Sequence, residues 1–354
     1  MTSTASSRLV ETSLRLVTLA SIAGLLFSDA HAATQPFTQN SAQLPEGEYP
    51  SPPSRCKVNQ VIALQRNGAS GPGAELATSI QDTLAKIVGK SEYSRSEMKF
   101  LSNYTYKLGA SGALLAHGTT QLKDLGVQFR KTYCGTGSIS EKDCTNVWVA
   151  STSSPSQVDS AKAWSTGFMQ GTGTSSPSPR IIAEGAHDNN TLAANCPNLA
   201  SSVPIAQQQW RDVWTPAVLQ RLQGGTNYGL NSTDIVNFAY MCALESLVTT
   251  ELSPFCGLFL DTEWSYVEYD GDLGKYYNHA YGAPLARSQG VGYANELLTR
   301  LSGLLAFYAQ RDQTQVNNTA DADPSKFPLD RSVYIDFTSD DQLLAVMTLL
   351  GLFL

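Results

Sequence analysis

Four short apolar runs rich in β-branched residues recur along the chain, and segments with helical periodicity separate them. The strand-like runs are KVNQVIALQ, NVWVAS, RIIAE and SVYIDF. The helical patterns are AELATSIQDTLAKIVG, QLKDLGVQFRKTY, SAKAWSTGFMQG and DQLLAVMTLLGLFL. Strands that alternate with helices are typical of α/β proteins, so the sequence predicts a mostly parallel sheet with covering helices.

The region from 205 to 305 follows a different pattern and is mainly helical. Its clearest helical segments are PAVLQRLQG, TDIVNFAYMCALESLVT and GVGYANELLTRLSGLLAFYA. We therefore predict an α/β core made of 55–204 and 306–354, with a helical subdomain inserted at 205–305. Ahead of this core, residues 33–54 contain five prolines and little apolar periodicity, which predicts an extended N-terminal arm.

The first 32 residues have the features of a secretory signal peptide. Arg8 and Arg15 come before or at the start of LVTLASIAGLLF, residues 16–27, which is too short an apolar stretch to span a bilayer. Ala30 and Ala32 then supply the small residues of a cleavage site. We expect cleavage near Ala32 and a secreted, extracellular product; an uncleaved anchor is the alternative.

The rest of the chain fits an oxidising compartment. The cysteines all lie beyond the predicted cleavage site, and their even number suits a set of disulfides: Cys56, Cys134, Cys144, Cys196, Cys242 and Cys256. No CxxC pair occurs, which argues against a zinc site, and we expect no metal. N-x-S/T sequons predict glycosylation at Asn103, Asn189, Asn231 and Asn317.

Charge and composition narrow the range of partners. The formal net charge is −7 and basic residues are not clustered, so we expect neither nucleic acid nor, after signal cleavage, a membrane as partner. A glycine pair in the GVG sequence at 290–292 is better explained by a helix-entry turn than by a phosphate-binding loop. We expect no cofactor, and the partner we predict is a small-molecule ligand of unknown identity.

One predicted strand ends in an arginine followed by a loop that contains glycine and proline. In VIALQRNGASGP, residues 61–72, an apolar run meets Arg66 and then a loop with two glycines and Pro72. Ligands of α/β proteins usually bind at the carboxyl ends of parallel strands. The loop after Arg66 is therefore the candidate binding site.

From Arg55 onward the chain resembles the fungal histidine acid phosphatases, the phytases in particular. The most specific similarity is LSPFCGLFLDTEW at 252–264, which continues into KYYNHAYGAPLARSQGVGYANELLTRL at 275–301. The spacing from there to YIDFTSDDQLLAVMTLLGLF also fits. The resemblance implies the histidine phosphatase fold, and for the family it implies hydrolysis of phosphomonoesters through a phosphorylated histidine.

The resemblance also implies where the family's chemistry is placed. An R-H-G-x-R-x-P loop carries the nucleophilic histidine, and its two arginines clamp the phosphate together with a third from a later strand, because guanidinium forks match phosphate oxygens. A His-Asp pair supplies another phosphate ligand and a proton donor for the leaving alcohol.

This chain departs from that pattern at most of the charged positions. Asn67 stands at the nucleophile position and Ser70 at the second loop arginine. Ala150 stands where the third arginine should follow the NVWV strand, and Ser339-Asp340 replaces His-Asp. We expect these positions to form one shallow, weakly charged pocket, lined by Arg66, Asn67, Ser70, Ala150, Ser339 and Asp340.

These substitutions predict the loss of phosphomonoesterase activity. An amide nitrogen is not a nucleophile at neutral pH, so Asn67 cannot form a phosphoenzyme. Ser70 or Ser339 could serve as a substitute nucleophile only beside a base, and Asp340 is the only retained acid candidate, with a solvated or helix-capping carboxylate as the other interpretation. For the histidines beyond the signal peptide we favour structural or surface roles over catalytic ones: His117, His187 and His279.

The resemblance further bears on the disulfides and on the C-terminus. It implies a Cys242–Cys256 bridge, while Cys134 and Cys144 flank a turn-rich segment that makes a second local bridge plausible. The family's counterparts of Cys56 and Cys196 pair with a C-terminal tail, so we expect these two not to pair with each other.

The sequence ends at Leu354, where family members continue, and either a shortened reading of the gene or a genuinely short protein fits.

Several functions remain open from the sequence. The first is a secreted pseudophosphatase that binds a ligand in the remodelled cleft or serves in an interaction. The second is a repurposed enzyme that acts on a non-phosphate small molecule, for example in fungal secondary metabolism. A protein without a biochemical role and a residual acid phosphatase are the remaining alternatives.

Overall fold

The computed structural model of the chain describes residues 52–109, 112–135, 138–185, 190–194, 205–304 and 323–352. The predicted signal peptide and most of the predicted arm lie outside these residues. So do five individual positions named above: His187, Asn189, Cys196, Asn317 and Leu354.

The described residues contain a four-stranded sheet in the order β1-β4-β2-β3, and every pairing is parallel. Its strands are β1 (Val61–Arg66), β2 (Trp148–Thr152), β3 (Arg180–Ile182) and β4 (Val333–Thr338). All six residues of β4 are buried, as expected for an interior strand covered on both faces. The prediction of an α/β fold with a mostly parallel sheet is confirmed.

Helices surround this sheet and build a separate helical layer. They are α1 (Ala74–Ile87), α2 (Ala116–Tyr133), α3 (Glu141–Cys144), α4 (Pro155–Phe168), α5 (Ile205–Gln223), α6 (Ser232–Thr249), α7 (Asp261–His279), α8 (Ala286–Ser302) and α9 (Asp340–Leu349). Two short 3-10 helices cover Ser96–Asn103 and Pro254–Leu258.

Side-chain alternation places α2 and α4 on one face of the sheet and α8 on the other. Val333, Ile335 and Phe337 of β4 pack in one buried cluster with residues of α2 and α4, such as Trp164. Asp336 points the opposite way, toward α8. The central strand is therefore covered by helices on both faces.

A second buried cluster lies among the helices themselves. It contains side chains of α1, α5, α6 and the start of α7, together with both 3-10 helices. This packing differs from the predicted division at two points, because α1 joins the helical cluster although it lies outside 205–305, and α8 packs against α9 and the sheet although it lies inside 205–305. Sequence order therefore does not follow the packing at these two helices.

Helices α2 and α4 cross at a contact that only glycine can make. Gly126 of α2 lies against the backbone at Trp164, and Gly167 of α4 lies against the carbonyl of Lys123. A Cβ atom at either glycine would fall inside the van der Waals radius of that backbone. The two helices consequently pack with their backbones almost in contact.

We expect Gly167→Ala to destabilise the protein by about 1–3 kcal/mol, because the added methyl must push α4 away from α2. The matched control is Gly257→Ala, since an added Cβ at Gly257 would meet nothing within 4 Å. Urea unfolding of both variants is the measurement. Equal midpoints for the two variants would contradict the proposed close crossing.

Two disulfides are present among the described residues, and both were predicted. Cys134–Cys144 closes the turn between α2 and α3, and Cys242–Cys256 joins α6 to the second 3-10 helix. Cys56 is free and exposed. Its predicted lack of a bridge to Cys196 stays a prediction, since Cys196 lies outside the described residues.

Removing the Cys242–Cys256 bridge is expected to lower the free energy of unfolding by about 3 kcal/mol, the loop-closure value for a loop of this length in the chain-entropy model. The test is guanidinium unfolding of Cys242→Ala/Cys256→Ala beside the control Cys56→Ala. The control should leave the midpoint unchanged, because Cys56 is exposed and unbonded. A double variant as stable as the control would refute the expectation.

In the described part of the chain, no helix combines the length and the apolar character that are needed to cross a membrane.

Candidate functional site

The carboxyl ends of β1 and β4 bring two of the predicted site segments together. The strands pair in parallel with Arg66 opposite Thr338. The loop that begins at Asn67 and the Ser339–Asp340 segment therefore leave the sheet side by side. This is the edge at which ligands bind in parallel α/β sheets.

The loop after β1 is held in place by its own amide side chain and by a neighbouring helix. The Nδ2 atom of Asn67 donates to the carbonyl oxygen of Gly68 at 2.9 Å and to the Oγ atom of Ser70 at 3.3 Å. The backbone N–H of Gly68 donates to the Oγ atom of Ser160 in α4 at 3.0 Å. The Nδ2 group of Asn67 thus stabilises the conformation of the loop.

The same loop pairs with the chain segment that leads into α2. Leu115 donates its N–H to the carbonyl of Ala69 at 2.9 Å, and Ser70 forms an antiparallel bridge with Leu114. An added Cβ at Gly68 would lie 2.7 Å from the carbonyl oxygen of Gly118. Glycine at 68 is therefore required by close packing as well as by any role in the site.

Ser339 caps the helix that follows β4. It is the N-cap of α9, and its Oγ atom accepts a hydrogen bond from the N–H of Gln342 at 3.3 Å. A serine is a favourable N-cap because it satisfies a helix donor that has no partner within the helix. The hydroxyl of Ser339 is thus used structurally, and no imidazole is among its described hydrogen-bond partners.

Asp340 lies in the first turn of α9 and is tied to the helical layer. Its Oδ2 atom is 2.8 Å from the Nζ atom of Lys275 in α7. Burial opposes ionisation of Asp340, but the Lys275 ammonium, with a further contribution from Arg66, lowers the pKa of its carboxyl below the usual value. Asp340 is therefore held as a carboxylate and is a poor proton donor.

Lys275 contacts a second carboxylate. Its Nζ atom lies 2.6 Å from the Oδ1 atom of Asp341, which is also 3.3 Å from the Nε2 atom of His279. Burial opposes the charge of Lys275, but Asp340 and Asp341 outweigh it and raise the pKa of the ammonium. The sequence reasoning missed both Lys275 and Asp341, and the signal available was the run of two aspartates at the start of α9.

Ala150 occupies a different place from the one predicted for it. Strand β2 continues beyond it to Thr152, so Ala150 does not follow the strand. It is 1% exposed and packs in a buried cluster with Leu192, Tyr293 and Val346. The prediction that Ala150 lines an open pocket is therefore wrong, because α8 and the segment at 190–194 cover this part of β2.

A buried ion pair lies on the sheet beneath the site and was also missed. Arg300 of α8 forms a short ion pair with Asp336 of β4, and the hydroxyl of Tyr293 donates to the same carboxylate oxygen at 3.2 Å. Arg300 is 5% exposed and Asp336 is 1% exposed. A carboxylate in the apolar run SVYIDF was the sequence signal, because a buried aspartate needs a partner.

The histidines do not form a catalytic pair with either serine in the described residues. His117 lies at the start of α2, and its Nε2 atom is buried without a hydrogen-bond partner. His279 lies at the end of α7, where burial lowers its pKa and so favours the neutral imidazole. No cluster of three metal-ligating side chains occurs among the described residues.

The carboxyl edge of the sheet carries several polar side chains around Arg66. The least engaged of its polar groups is the guanidinium of Arg66, since the amide of Asn67 and the hydroxyls of Ser70 and Ser339 take part in hydrogen bonds within the protein. The Nε atom of Arg66 is buried without a hydrogen-bond partner, so this guanidinium is not saturated by the described protein groups. Such groups can orient a polar ligand through hydrogen bonds.

The chain is similar to known proteins over most of its length. It is 35% identical over 328 residues to Phytase A of Aspergillus terreus, covering 87% of this chain and 68% of that protein. It is 30% identical over 315 residues to Phytase A of Arthroderma benhamiae, covering 85% of this chain and 66% of that protein. The chain thus spans about two thirds of the length of these relatives.

Solved structures show the same fold. The phytase from D. castellii superposes with a TM-score of 0.67 at 19% identity, covering 86% of this chain and 65% of that one. The multiple inositol polyphosphate phosphatase of Bifidobacterium longum gives a TM-score of 0.59 at 9% identity, covering 90% of this chain and 80% of that one. The family described as histidine phosphatase superfamily (branch 2) matches residues 57–354, and the chain belongs to this family.

Proposed function

We propose that this chain is a secreted pseudophosphatase, which binds a small polar molecule at the carboxyl edge of its sheet and does not hydrolyse phosphomonoesters. The observation that carries the proposal is the identity of residue 67, an asparagine, and the hydrogen bonds that its side chain makes. Asn67 stands where the family resemblance implies the nucleophilic histidine, and its amide is hydrogen-bonded to Gly68 and Ser70 within the loop.

The groups that could replace the missing chemistry are used in other ways. An amide is not a nucleophile, and the Ser339 hydroxyl caps α9. The carboxyl of Asp340 is held ionised by Lys275, which disfavours its action as a general acid. These three arrangements together argue against hydrolysis of phosphomonoesters.

Secretion belongs to the same proposal. The apolar stretch at 16–27 with its small-residue cleavage site and the two disulfides support it. Of the predicted glycosylation sites in the described residues, Asn103 and Asn231 are both exposed. We propose no cofactor and no metal.

The proposal is tested by thermal-shift screening of the purified protein against neutral polyols, amino acids and phosphoesters. We expect at least one neutral polar compound to raise the melting temperature, because a ligand that binds only the folded state stabilises it. The same screen on Arg66→Met should lose that shift. A control, Lys142→Met, alters a different cavity of about 490 Å³, lined by residues of α2, α3 and the turn after α4, and should keep the shift.

The outcome can contradict the proposal in two ways. If no compound shifts the melting temperature, the proposed binding role is contradicted. If a compound is turned over instead of bound, the chain is a repurposed enzyme.

A further inference from the structure

Helices α7 and α9 meet at the candidate site through a compact group of charged side chains. Lys275 of α7 places its ammonium between Asp340 and Asp341 of α9, with Nζ–O distances of 2.8 and 2.6 Å. His279 approaches Asp341 from one turn further along α7. These contacts join the helical layer to the sheet layer beside the loop of Asn67.

The group is partly open to solvent. The side chains of Lys275, Asp341 and Asp340 are 25%, 32% and 36% exposed. A ligand at this edge of the sheet can therefore reach them. Because they are only partly exposed, their charges are screened less than those of a fully solvated pair.

The charges at this edge cancel. Arg66 and Lys275 are cationic, and both act on the carboxylate of Asp340. Asp341 supplies the second negative charge and takes another of the donors of Lys275. An anion that approaches this edge thus meets a lysine already paired with two carboxylates, and those carboxylates repel it.

We propose, resting on the proposed binding function, that Asp341 determines the charge of the ligand: together with Asp340 it pairs with the ammonium of Lys275 and thereby excludes anions from this edge of the sheet. The ligand class that fits is a neutral, hydrogen-bonding small molecule. Lys275 is then a latent anion-binding group that the protein itself keeps occupied.

The test uses inorganic phosphate as the probe and calorimetric titration as the readout. Asp341→Asn removes one negative charge but keeps a side-chain oxygen that can accept from Lys275, so the fold should persist. We expect the intact protein to show no binding at about 10 mM phosphate, a concentration at which even an affinity in the millimolar range would be detected. The variant should bind at least about tenfold more tightly, and Asp340→Asn/Asp341→Asn more tightly again.

The control variant is Asp340→Asn/Asp341→Asn/Lys275→Met, in which the gain should disappear. Phosphate binding that persists in this triple variant would place the site elsewhere and overturn the inference. So would an Asp341→Asn variant, shown to be folded by its circular dichroism, that binds no more phosphate than the intact protein. Binding of phosphate by the intact protein would likewise show that Asp341 does not exclude anions.

These outcomes are distinct from a failure of the proposed function. If Asp341→Asn gains no phosphate binding, the inference about Asp341 is refuted, but the proposal that the intact protein binds a neutral ligand is not. Conversely, hydrolysis of a phosphoester by the intact protein would refute the pseudophosphatase proposal, whatever the variants bind.

Discussion

Purified protein is expected to release no phosphate from p-nitrophenyl phosphate or phytate above the rate of its own Asn67→Ala variant at acidic pH. The reason is the absence of a nucleophile at the loop, since Asn67 is an amide that is bonded to Gly68 and Ser70. Loss of a nucleophile alone can lower kcat by roughly six decades. Turnover of either substrate at even a few per second would contradict the expectation.

Restoring the histidine alone is expected not to restore activity. In Asn67→His the imidazole would face a site in which Ser70 supplies no guanidinium and Asp340 is already paired with Lys275. The A. terreus Phytase A serves as the positive control in the same assay. Measurable turnover by Asn67→His would show that Arg66 suffices as a clamp and that the chain lost its activity through a single position.

The order of strands and helices could be predicted from the sequence because each element has a strong local pattern. The strands were found within a few residues, since β-branched runs mark them, and most helices were found from their periodicity. Element ends were less accurate. Helix α9 ends at Leu349 although its apolar pattern runs to the last residue. Helix α8 ends at Ser302, because the next residue, Gly303, adopts the left-handed conformation.

The candidate site was predictable only where chain connectivity alone places residues together. Alternating strands and helices predict a parallel sheet, whose strands all end at one edge, and this places Asn67 and Ser339 at the same edge. The direct pairing of β1 with β4 does not follow from the order of the elements. The contact of Lys275 with Asp341 joins residues 66 positions apart on different helices. Nothing local in either helix signals such a contact, because it depends on how α7 and α9 pack. Burial of Ala150 was missed for the same reason.

Breaking the buried pair of Arg300 and Asp336 at one partner is expected to be among the most destabilising single substitutions in the described structure. Both side chains are removed from water, and the guanidinium also lies over the rings of Phe327 and Tyr334, at 5.2 and 4.9 Å from their centroids. Removing one partner leaves the other charge buried without compensation. For Arg300→Met we therefore expect a loss of about 3–5 kcal/mol in the free energy of unfolding.

Two further variants make this expectation specific to the charge pair. Arg300→Met/Asp336→Asn removes both charges and keeps an acceptor for Tyr293, so it should be more stable than Arg300→Met alone. Lys162→Met breaks an exposed pair with Asp159 and should cost at most about 1 kcal/mol. Urea unfolding of the three variants provides the comparison. If the double variant is less stable than the single one, the cost arises from lost packing of the guanidinium, and the interpretation as an uncompensated buried carboxylate is wrong.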